Sequence, residues 1–301
     1  MRRWMTTLAL TGAVALALGG CAAPGGADGD LTNDWAALGE PKVFTPAAGT
    51  CHGADFSEVS YLSSYLPIDC ASSHQVETVH VGTFTGAAAT GQAPPARESA
   101  ERRAAYAECD TRARGYLGAD WRVARLWLGV SIPSERAWNG GARWFRCDVV
   151  EVIEVEEEGL TTSRTGSLKD ALKTPGKLHL GCYATTLDRN DAIDRMNPTA
   201  CDARHNTEFA GVWRAPSRQR YPQAERDWGA FYGGCYGVIA RFAGVTRSSV
   251  EFRTGVIALP SGEDDWAAGD RGVRCYLWKS DARFTRSMKD AGPRGLPVQT
   301  G

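Results

Sequence analysis

Two stretches of the sequence place Cys, His and Glu at the same spacing. CASSHQVE spans residues 70–77, and CDARHNTE spans residues 201–208. Cysteine thiolate, imidazole and carboxylate are all zinc ligands, so Cys-x-x-x-His-x-x-Glu has the residue types of a metal site. The same residues also suit a structural framework, in which the cysteine forms a disulfide and the His and Glu side chains hold neighbouring loops.

Three features favour the structural interpretation. The cysteines are single and widely spaced, without the close Cys-x-x-Cys pairs of common zinc sites. Cysteines of an exported chain, which the N-terminus described below indicates, become disulfides in an oxidising compartment. Residues three apart on a strand point to opposite faces, so His74 and Glu77 would converge only across a turn or bulge. We therefore expect no metal and no other cofactor, and keep zinc as the alternative.

The two stretches belong to a longer repeat. The Cys, His and Glu positions of the first stretch recur 131 positions later in the second. A fragment Trp-x-x-Gly-x-Arg-x-x-x-Cys begins at Trp138 and again at Trp266, and GSLKDA (166–171) is matched by RSMKDA (286–291). Such a match over several residue types indicates tandem duplication, with a period too long for a solenoid repeat. We expect two domains, over residues 49–174 and 178–292, and a C-terminal tail over 293–301.

The recurring polar and aromatic residues are predicted to be structural. We expect each His to cap the turn after its cysteine, each Glu to pair with an Arg of an adjacent strand, and each Trp to pack in the core or a hairpin. These residues are His74, Glu77, Trp138 and Arg143 in the first copy and His205, Glu208, Trp266 and Arg271 in the second. Further tryptophans are candidates for stacking on glycan, namely Trp121, Trp127, Trp144, Trp213 and Trp278.

Eight of the nine cysteines fall into two sets of four, one set in each copy. Four cysteines allow three connectivities. We favour one bridge between neighbouring strand segments and one between the helix and the last strand. The favoured pairs are Cys51–Cys70, Cys109–Cys147, Cys182–Cys201 and Cys235–Cys275.

The order of elements predicts an α+β fold. Each copy reads as two strands, one helix and two further strands, which differs from the regular alternation of a doubly wound parallel sheet. Apolar residues at helical spacing predict a helix from Arg97 to about Gly118, and a second helix with Pro222 in its first turn. We expect an antiparallel sheet with one packed helix in each copy, stabilised by disulfides.

The N-terminus indicates export and lipidation. Two arginines precede an apolar run over residues 8–18 that is too short to span a bilayer but suits a secretory signal, predicted over residues 1–20. Leu-Gly-Gly-Cys at residues 18–21 resembles a lipobox, so Cys21 is expected to carry the lipid. A Gly- and Ala-rich tether over residues 21–48 follows. With 34 basic and 35 acidic residues, the chain has no charge signal for nucleic acid.

Taken together, the cysteine pattern, Cys-x-x-x-His-x-x-Glu, the Trp-x-x-Gly-x-Arg fragment and the trailing Gly-Ser-Leu-Lys resemble the septum formation domain of actinobacterial envelope proteins. The resemblance covers both copies. It implies a membrane-associated role outside the cytoplasm, connected with cell division or the envelope, and it implies no particular reaction.

We expect a lipid-anchored binding or structural protein on the extracytoplasmic face of the cell membrane. Its partner would be another envelope protein or a cell-wall component, and two similar modules would raise effective concentration for a repeated partner. No phosphate loop, His-Glu-x-x-His or Gly-x-Ser-x-Gly motif is present, and no catalytic residue is assigned. The alternative is a metal-dependent or cryptic cell-wall hydrolase.

Overall fold

The computed structural model describes residues 43–59, 65–155, 160–189, 192–280 and 283–298. The predicted signal peptide, Cys21 and most of the predicted tether lie outside these residues. From residue 43 onward the chain clusters into one compact unit. Within the described ranges, no helix combines the length and the apolar character needed to cross a membrane.

Two antiparallel sheets of five strands each form the framework. The first sheet contains β1 (Thr50–His52), β2 (Pro67–Ile68), β3 (Val76–Thr83), β4 (Leu126–Ser131) and β5 (Trp144–Glu151). The second contains β6 (Cys182–Leu187), β7 (Ile193–Thr199), β8 (Thr207–Arg214), β9 (Gly255–Pro260) and β10 (Gly272–Trp278). The spatial orders, β2-β1-β3-β5-β4 and β7-β6-β8-β10-β9, are equivalent. The predicted α+β fold class is confirmed.

One long helix packs on each sheet, α1 (Ala100–Leu117) on the first and α2 (Gly229–Ala243) on the second. The Ser99 side chain accepts a hydrogen bond from the backbone N–H of Arg102 and so caps the start of α1. Gly118 ends α1 with φ 89°, in the left-handed region that glycine adopts without a Cβ clash. Short helices occupy Phe56–Val59, Ala87–Thr90, Glu135–Asn139, Glu263–Ala268 and Gly292–Gly295, and 3-10 turns occupy Trp121–Val123, Glu225–Trp228 and Val250–Phe252.

The core of each half lies between the long helix and its sheet. On α1, Cys109, Ala113 and Leu117 recur at helical spacing and are fully buried. They pack in one cluster with buried residues of the first sheet such as Leu128 and Phe145. In the second half, α2 and its sheet contribute two adjoining clusters, one around Phe231 and Cys235 and one around Ile239 and Leu277.

Several element boundaries differ from the sequence predictions. The segment between the first two cysteines of each half adds an edge strand, β2 or β7, to the four strands predicted, because it pairs antiparallel with the strand that carries the first cysteine. The connections between β4 and β5 and between β9 and β10 contain the short helices Glu135–Asn139 and Glu263–Ala268. Pro222 precedes the second helix instead of lying in its first turn, because 3-10 turn Glu225–Trp228 leads into α2.

Four disulfides fasten these elements. Their pairs are those favoured from the sequence: Cys51–Cys70, Cys109–Cys147, Cys182–Cys201 and Cys235–Cys275. One bridge in each half fastens the first strand to the turn before the third, and the other fastens the long helix to a central strand.

A buried ion-pair cluster joins the two halves. Arg122 Nη1 lies 2.6 Å from Asp110 Oδ1 of α1, and Arg122 Nη2 lies 2.5 Å from Asp270 Oδ1 of the second half. Its guanidinium also lies 3.9 Å from the centre of the Trp121 ring. A Cβ on Gly272 would approach Arg122 Nε to 2.1 Å, so this position requires glycine. Arg122 therefore links α1 to the second sheet through contacts that exclude water.

Candidate functional site

The Cys-x-x-x-His-x-x-Glu element of the first half forms a turn followed by a strand. His74 lies before β3, and its backbone exchanges hydrogen bonds with Arg164, at 2.9 Å from His74 N to Arg164 O and 2.8 Å in the other direction. His74 Nδ1 lies 2.9 Å from the carbonyl oxygen of Ser72 within the turn. The imidazole thus closes the turn after Cys70, as expected from the sequence.

Glu77 fixes the segment that follows the first sheet. Its carboxylate accepts hydrogen bonds from Leu168 N at 2.7 Å, from Ser167 Oγ at 2.5 Å and from the Tyr116 hydroxyl. Glu77 is fully buried. A buried carboxylate is stable only when such donors replace water. The recurring Ser of the GSLKDA segment therefore serves to dock that segment on the sheet.

The predicted pairs Glu77–Arg143 and Glu208–Arg271 are wrong. In the first sheet, Glu77 lies opposite Val149, whereas Arg143 precedes the start of β5 at Trp144. Six positions along a strand, at about 3.3 Å each, separate the two side chains. Arg143 instead donates to the carbonyl oxygens of Ala89 and Trp138, each at 2.6 Å.

Arg271 repeats this local role in the second half. It donates to the carbonyl oxygens of Trp266 and Asp270, and its guanidinium lies 4.7 Å from the centre of the Trp266 ring. The Arg143 guanidinium lies 4.0 Å from the Trp138 ring. Each Arg therefore orders the end of the short helix that holds the recurring Trp.

Both recurring tryptophans are buried and fix loops through their indole N–H. Trp138 Nε1 donates to Gly91 O at 2.7 Å, and Trp266 Nε1 donates to Gln219 O at 3.0 Å. A buried indole N–H usually finds such an acceptor. These two residues therefore pack the region between the sheet and the loop before the long helix.

Glu208 performs the docking role in the second half with one change of donor. It accepts from Met288 N and Ser287 Oγ, both at 2.8 Å, and lies 2.8 Å from His205 Nε2. The position equivalent to Tyr116 is Phe242, since each receives an equivalent backbone bond, from Asp170 N and from Asp290 N, at 2.8 Å. Phenylalanine has no hydroxyl.

In the second half, His205 replaces the Tyr116 hydroxyl as the side chain that hydrogen-bonds to the buried carboxylate. In the first half, His74 Nε2 lies 3.9 Å from Glu77 Oε2 and has no hydrogen-bond partner among the described residues. The carboxylate there is satisfied by Tyr116 instead. The buried carboxylates of Glu77 and Glu208 thus receive hydrogen bonds from different side chains, Tyr116 in the first half and His205 in the second. Exchange of the donor with retention of the hydrogen bond indicates a structural role.

The metal-type ligands do come together in both halves. The ligand atoms of Cys51, His74 and Glu77 lie within 4.8 Å of one another, as do those of Cys182, His205 and Glu208. The sequence argument that strand alternation separates His74 from Glu77 is wrong, because His74 precedes β3. The sulfurs of Cys51 and Cys182 are bonded in disulfides, however, and a metal requires a free thiolate. The geometry therefore favours a structural role.

A cleft between the two halves was not predicted from the sequence. Its volume is about 640 Å³, within the range of small-ligand sites. Aromatic side chains from both halves line it, among them Phe56, Trp127, Tyr221 and Trp228. Of the tryptophans considered for glycan stacking, Trp121 and Trp127 line this cleft, and Trp121 and Trp144 are buried. Because the cleft residues come from segments far apart in the chain, no local pattern indicates them.

Two arginines of the cleft have no carboxylate partner among the described residues. Arg102 Nη2 lies 3.3 Å from Val130 O, and Arg102 Nη1 is buried without a hydrogen-bond partner in the described ranges. Arg274 donates to the carbonyl oxygens of Arg122, at 3.1 Å, and Leu126, at 2.8 Å. Burial lowers the pKa of both guanidinium groups. These cations differ from Arg122, whose partners are carboxylates.

Comparison with known proteins identifies the family. A family model described as Septum formation matches residues 48–275, which is most of the chain. The chain belongs to the septum formation family. The matched residues cover the first sheet, both long helices and all of the second sheet except the end of β10. Comparison with curated proteins and with solved structures gave no match.

Proposed function

We propose that this protein is a lipid-anchored binding protein of the cell envelope that acts outside the cytoplasm in septum formation. Membership of the septum formation family supports a role related to cell division. The observation that carries the binding role is the cleft of about 640 Å³ between the halves. In this proposal the halves are tandem copies, and their junction provides the binding site.

The proposal assigns no catalysis to the recurring residues. Glu77 and Glu208 hold the segments after their sheets, and the cysteines beside them form disulfides. A general acid or base must reach a substrate proton. Both carboxylates are buried and bonded to the protein's own donors, which supports a framework role.

Anchoring through Cys21 is supported by Leu-Gly-Gly-Cys after the apolar run. One acyl chain binds membranes only marginally, whereas two or more hold firmly. The predicted tether would then separate the compact unit from the lipid surface and let it reach an envelope protein or cell-wall material.

Cell fractionation and imaging test the anchor and the location. In cells that make the full chain, Cys21→Ala is expected to move the protein from the membrane fraction to the soluble fraction. Gly20→Ala, which keeps a small residue before the cysteine, is expected to leave it in the membrane. A fluorescent fusion of the native chain is expected to concentrate at division septa. Membrane retention of Cys21→Ala, or uniform distribution of the native fusion, would contradict the proposal.

An assay for wall hydrolysis tests the absence of catalysis. The purified chain, incubated with insoluble cell-wall material, is expected to release no soluble fragments over the background of heat-denatured protein. Release that depends on the native chain would reject a purely binding role and favour a hydrolase.

A further inference from the structure

We propose that the cleft between the halves binds a sugar chain that carries carboxylate groups. Arg102 and Arg274 would receive the carboxylate, and Trp127 and Trp228 would contact the sugar rings. This inference names the ligand class of the binding role proposed above and rests on that proposal.

Two arginines of the cleft indicate a place for one anionic ligand group, in a lining that also carries Asp55, Glu154, Asp264 and Asp265. Arg102 and Arg274 line the cleft, and neither has a carboxylate within salt-bridge distance among the described residues. Arginine keeps its charge in proteins, and burying a cation without a counter-charge is costly. Arg122 shows the alternative within the same fold, since Asp110 and Asp270 neutralise it. A carboxylate in the cleft would supply the missing partner through charge-assisted hydrogen bonds.

Unsatisfied polar atoms support a ligand with hydrogen-bonding groups. Arg102 Nη1 and Ser261 Oγ both belong to residues that line the cleft, and both are buried without a hydrogen-bond partner in the described structure. Most buried polar atoms in folded proteins have a partner, so each such atom requires an explanation. Hydroxyl and carboxylate oxygens of a bound sugar would provide acceptors after a small movement of these side chains.

The aromatic residues of the cleft suit a ring with one apolar face. Trp127 comes from β4 of the first sheet, and its Nε1 donates to Asp265 Oδ2 of the second half at 2.6 Å. Trp228 stacks on Tyr232 with ring centres 5.9 Å apart and an interplanar angle of 22°. Tryptophan combines a large apolar surface with a polar group. A sugar presents C–H groups on its face and hydroxyl groups at its edge, which matches this lining.

The acidic residues of the cleft favour a sugar over a phosphorylated ligand. Asp55 accepts from Ser57 N and Thr161 Oγ1, at 3.0 and 3.2 Å, and Asp264 pairs with Arg97. These carboxylates can accept further hydrogen bonds from hydroxyl groups. A phosphate places up to two charges on one group beside these carboxylates and would meet their repulsion. A sugar acid carries a single carboxylate on each ring, and one of these can lie beside Arg102 and Arg274 while the others stay in solvent.

Calorimetric titration of the full chain in detergent with trigalacturonic acid tests the inference. The methyl ester of the same trisaccharide is the control, because it keeps the rings and removes the charge. We expect the acid to bind at least about tenfold more tightly than the ester, the effect of one charge-assisted contact. No binding of the acid, or equal affinity for acid and ester, would overturn the inference.

Variants assign the binding to the cleft. Arg102→Gln is expected to lower affinity for the acid about tenfold and leave the ester unchanged. Arg112→Gln, an exposed change on the same helix and outside the cleft, is expected to leave both affinities unchanged. Trp228→Ala is expected to weaken both ligands, provided its melting temperature shows a folded chain. An equal loss in Arg112→Gln would overturn the assignment.

Two further outcomes separate this inference from the proposed function. Tighter binding of ADP than of trigalacturonic acid would overturn the sugar class and favour a nucleotide. The titration uses purified protein, so its failure leaves the fractionation and septum results standing. Failure of anchoring or septum location would likewise leave a measured affinity for the acidic sugar intact.

Discussion

At the scale of single residues, the positions that recur in the two halves act on the chain itself. Glu77 and Glu208 bind backbone N–H groups of Leu168 and Met288, and thereby hold the segments that follow the sheets. Phe242 stands in the second half where Tyr116 stands in the first, and His205 supplies the hydrogen bond to the carboxylate that Phe242 cannot make. The Cys, His and Glu residues that resemble a metal site therefore act in holding the fold together.

Glu77→Gln is expected to destabilise the chain by about 2–3 kcal/mol, because a carboxamide offers one acceptor oxygen where three donors converge. Urea unfolding followed by circular dichroism measures the change. Glu108→Gln, whose side chain is 43% exposed, serves as the control. The free energy of unfolding of Glu108→Gln should fall by less than about 1 kcal/mol, because its pair with His80 is partly exposed to solvent. Equal losses in the two variants would contradict the docking role.

His52 is expected to make the stability depend on pH. Burial, followed by the charges of Arg146 and His74, lowers its pKa from 6.5 to about 4. Between these values the unfolded chain binds a proton that the folded chain excludes, so stability falls as the pH drops from 6.5 towards 4. Across the whole range the contribution of His52 is on the order of 3 kcal/mol.

Unfolding in urea at pH 7, 5.5 and 4.5 tests this dependence. His52→Gln should flatten the profile in that range, whereas His179→Gln should retain the slope of the native chain. An unchanged slope in His52→Gln would show that another group is responsible.

At the scale of elements, the two disulfides of each half differ in accessibility. Cys109, Cys147, Cys235 and Cys275 are fully buried between a long helix and a central strand. Cys70 and Cys201 lie in turns and are partly exposed. The helix–strand bridges are thus protected by the core, whereas the strand–turn bridges lie near its edge.

Limited reduction is expected to open Cys51–Cys70 and Cys182–Cys201 before the helix–strand bridges, because a thiolate reductant must reach the sulfur it attacks. Alkylation and peptide mass spectrometry after increasing times with a mild reductant measure the order. The unreduced native chain should show no alkylation at these eight cysteines. First opening of Cys109–Cys147 would contradict the prediction.

At the scale of the whole molecule, contacts between the halves combine two similar units into one body with a cleft. Arg122 bonds to Asp110 and Asp270 and is 1% exposed. Trp127 adds a hydrogen bond to Asp265 across the same boundary. The relative position of the halves, and hence the shape of the cleft, depends on these interactions.

Arg122→Met is expected to cost about 3–5 kcal/mol, since it leaves buried carboxylates without their cation. Calorimetric unfolding should change from one transition in the native chain to two, as the halves lose their coupling. Arg214→Met removes two ion pairs, with Asp120 and at longer distance with Asp110, that are 42% exposed on the arginine side, and it should cost less than about 1 kcal/mol. One unaltered transition in Arg122→Met would show that other contacts couple the halves.

The sequence by itself determined the repeated framework. Cysteine spacing was sufficient to favour the four bridges, and helical spacing indicated α1 to within three residues of each end, because both signals are local or recur in the chain. The recurring Trp and His also took the packing and capping roles that their contexts indicated.

Only the tertiary structure decided the partners of the recurring charges and the location of the cleft. Glu77 binds a segment about 90 positions away instead of Arg143, because strand register places them at different ends of the sheet. The cleft is lined by residues far apart in the chain, such as Arg102 of the first half and Arg274 of the second. Such juxtapositions depend on how packed units meet, and no local pattern of residues encodes them.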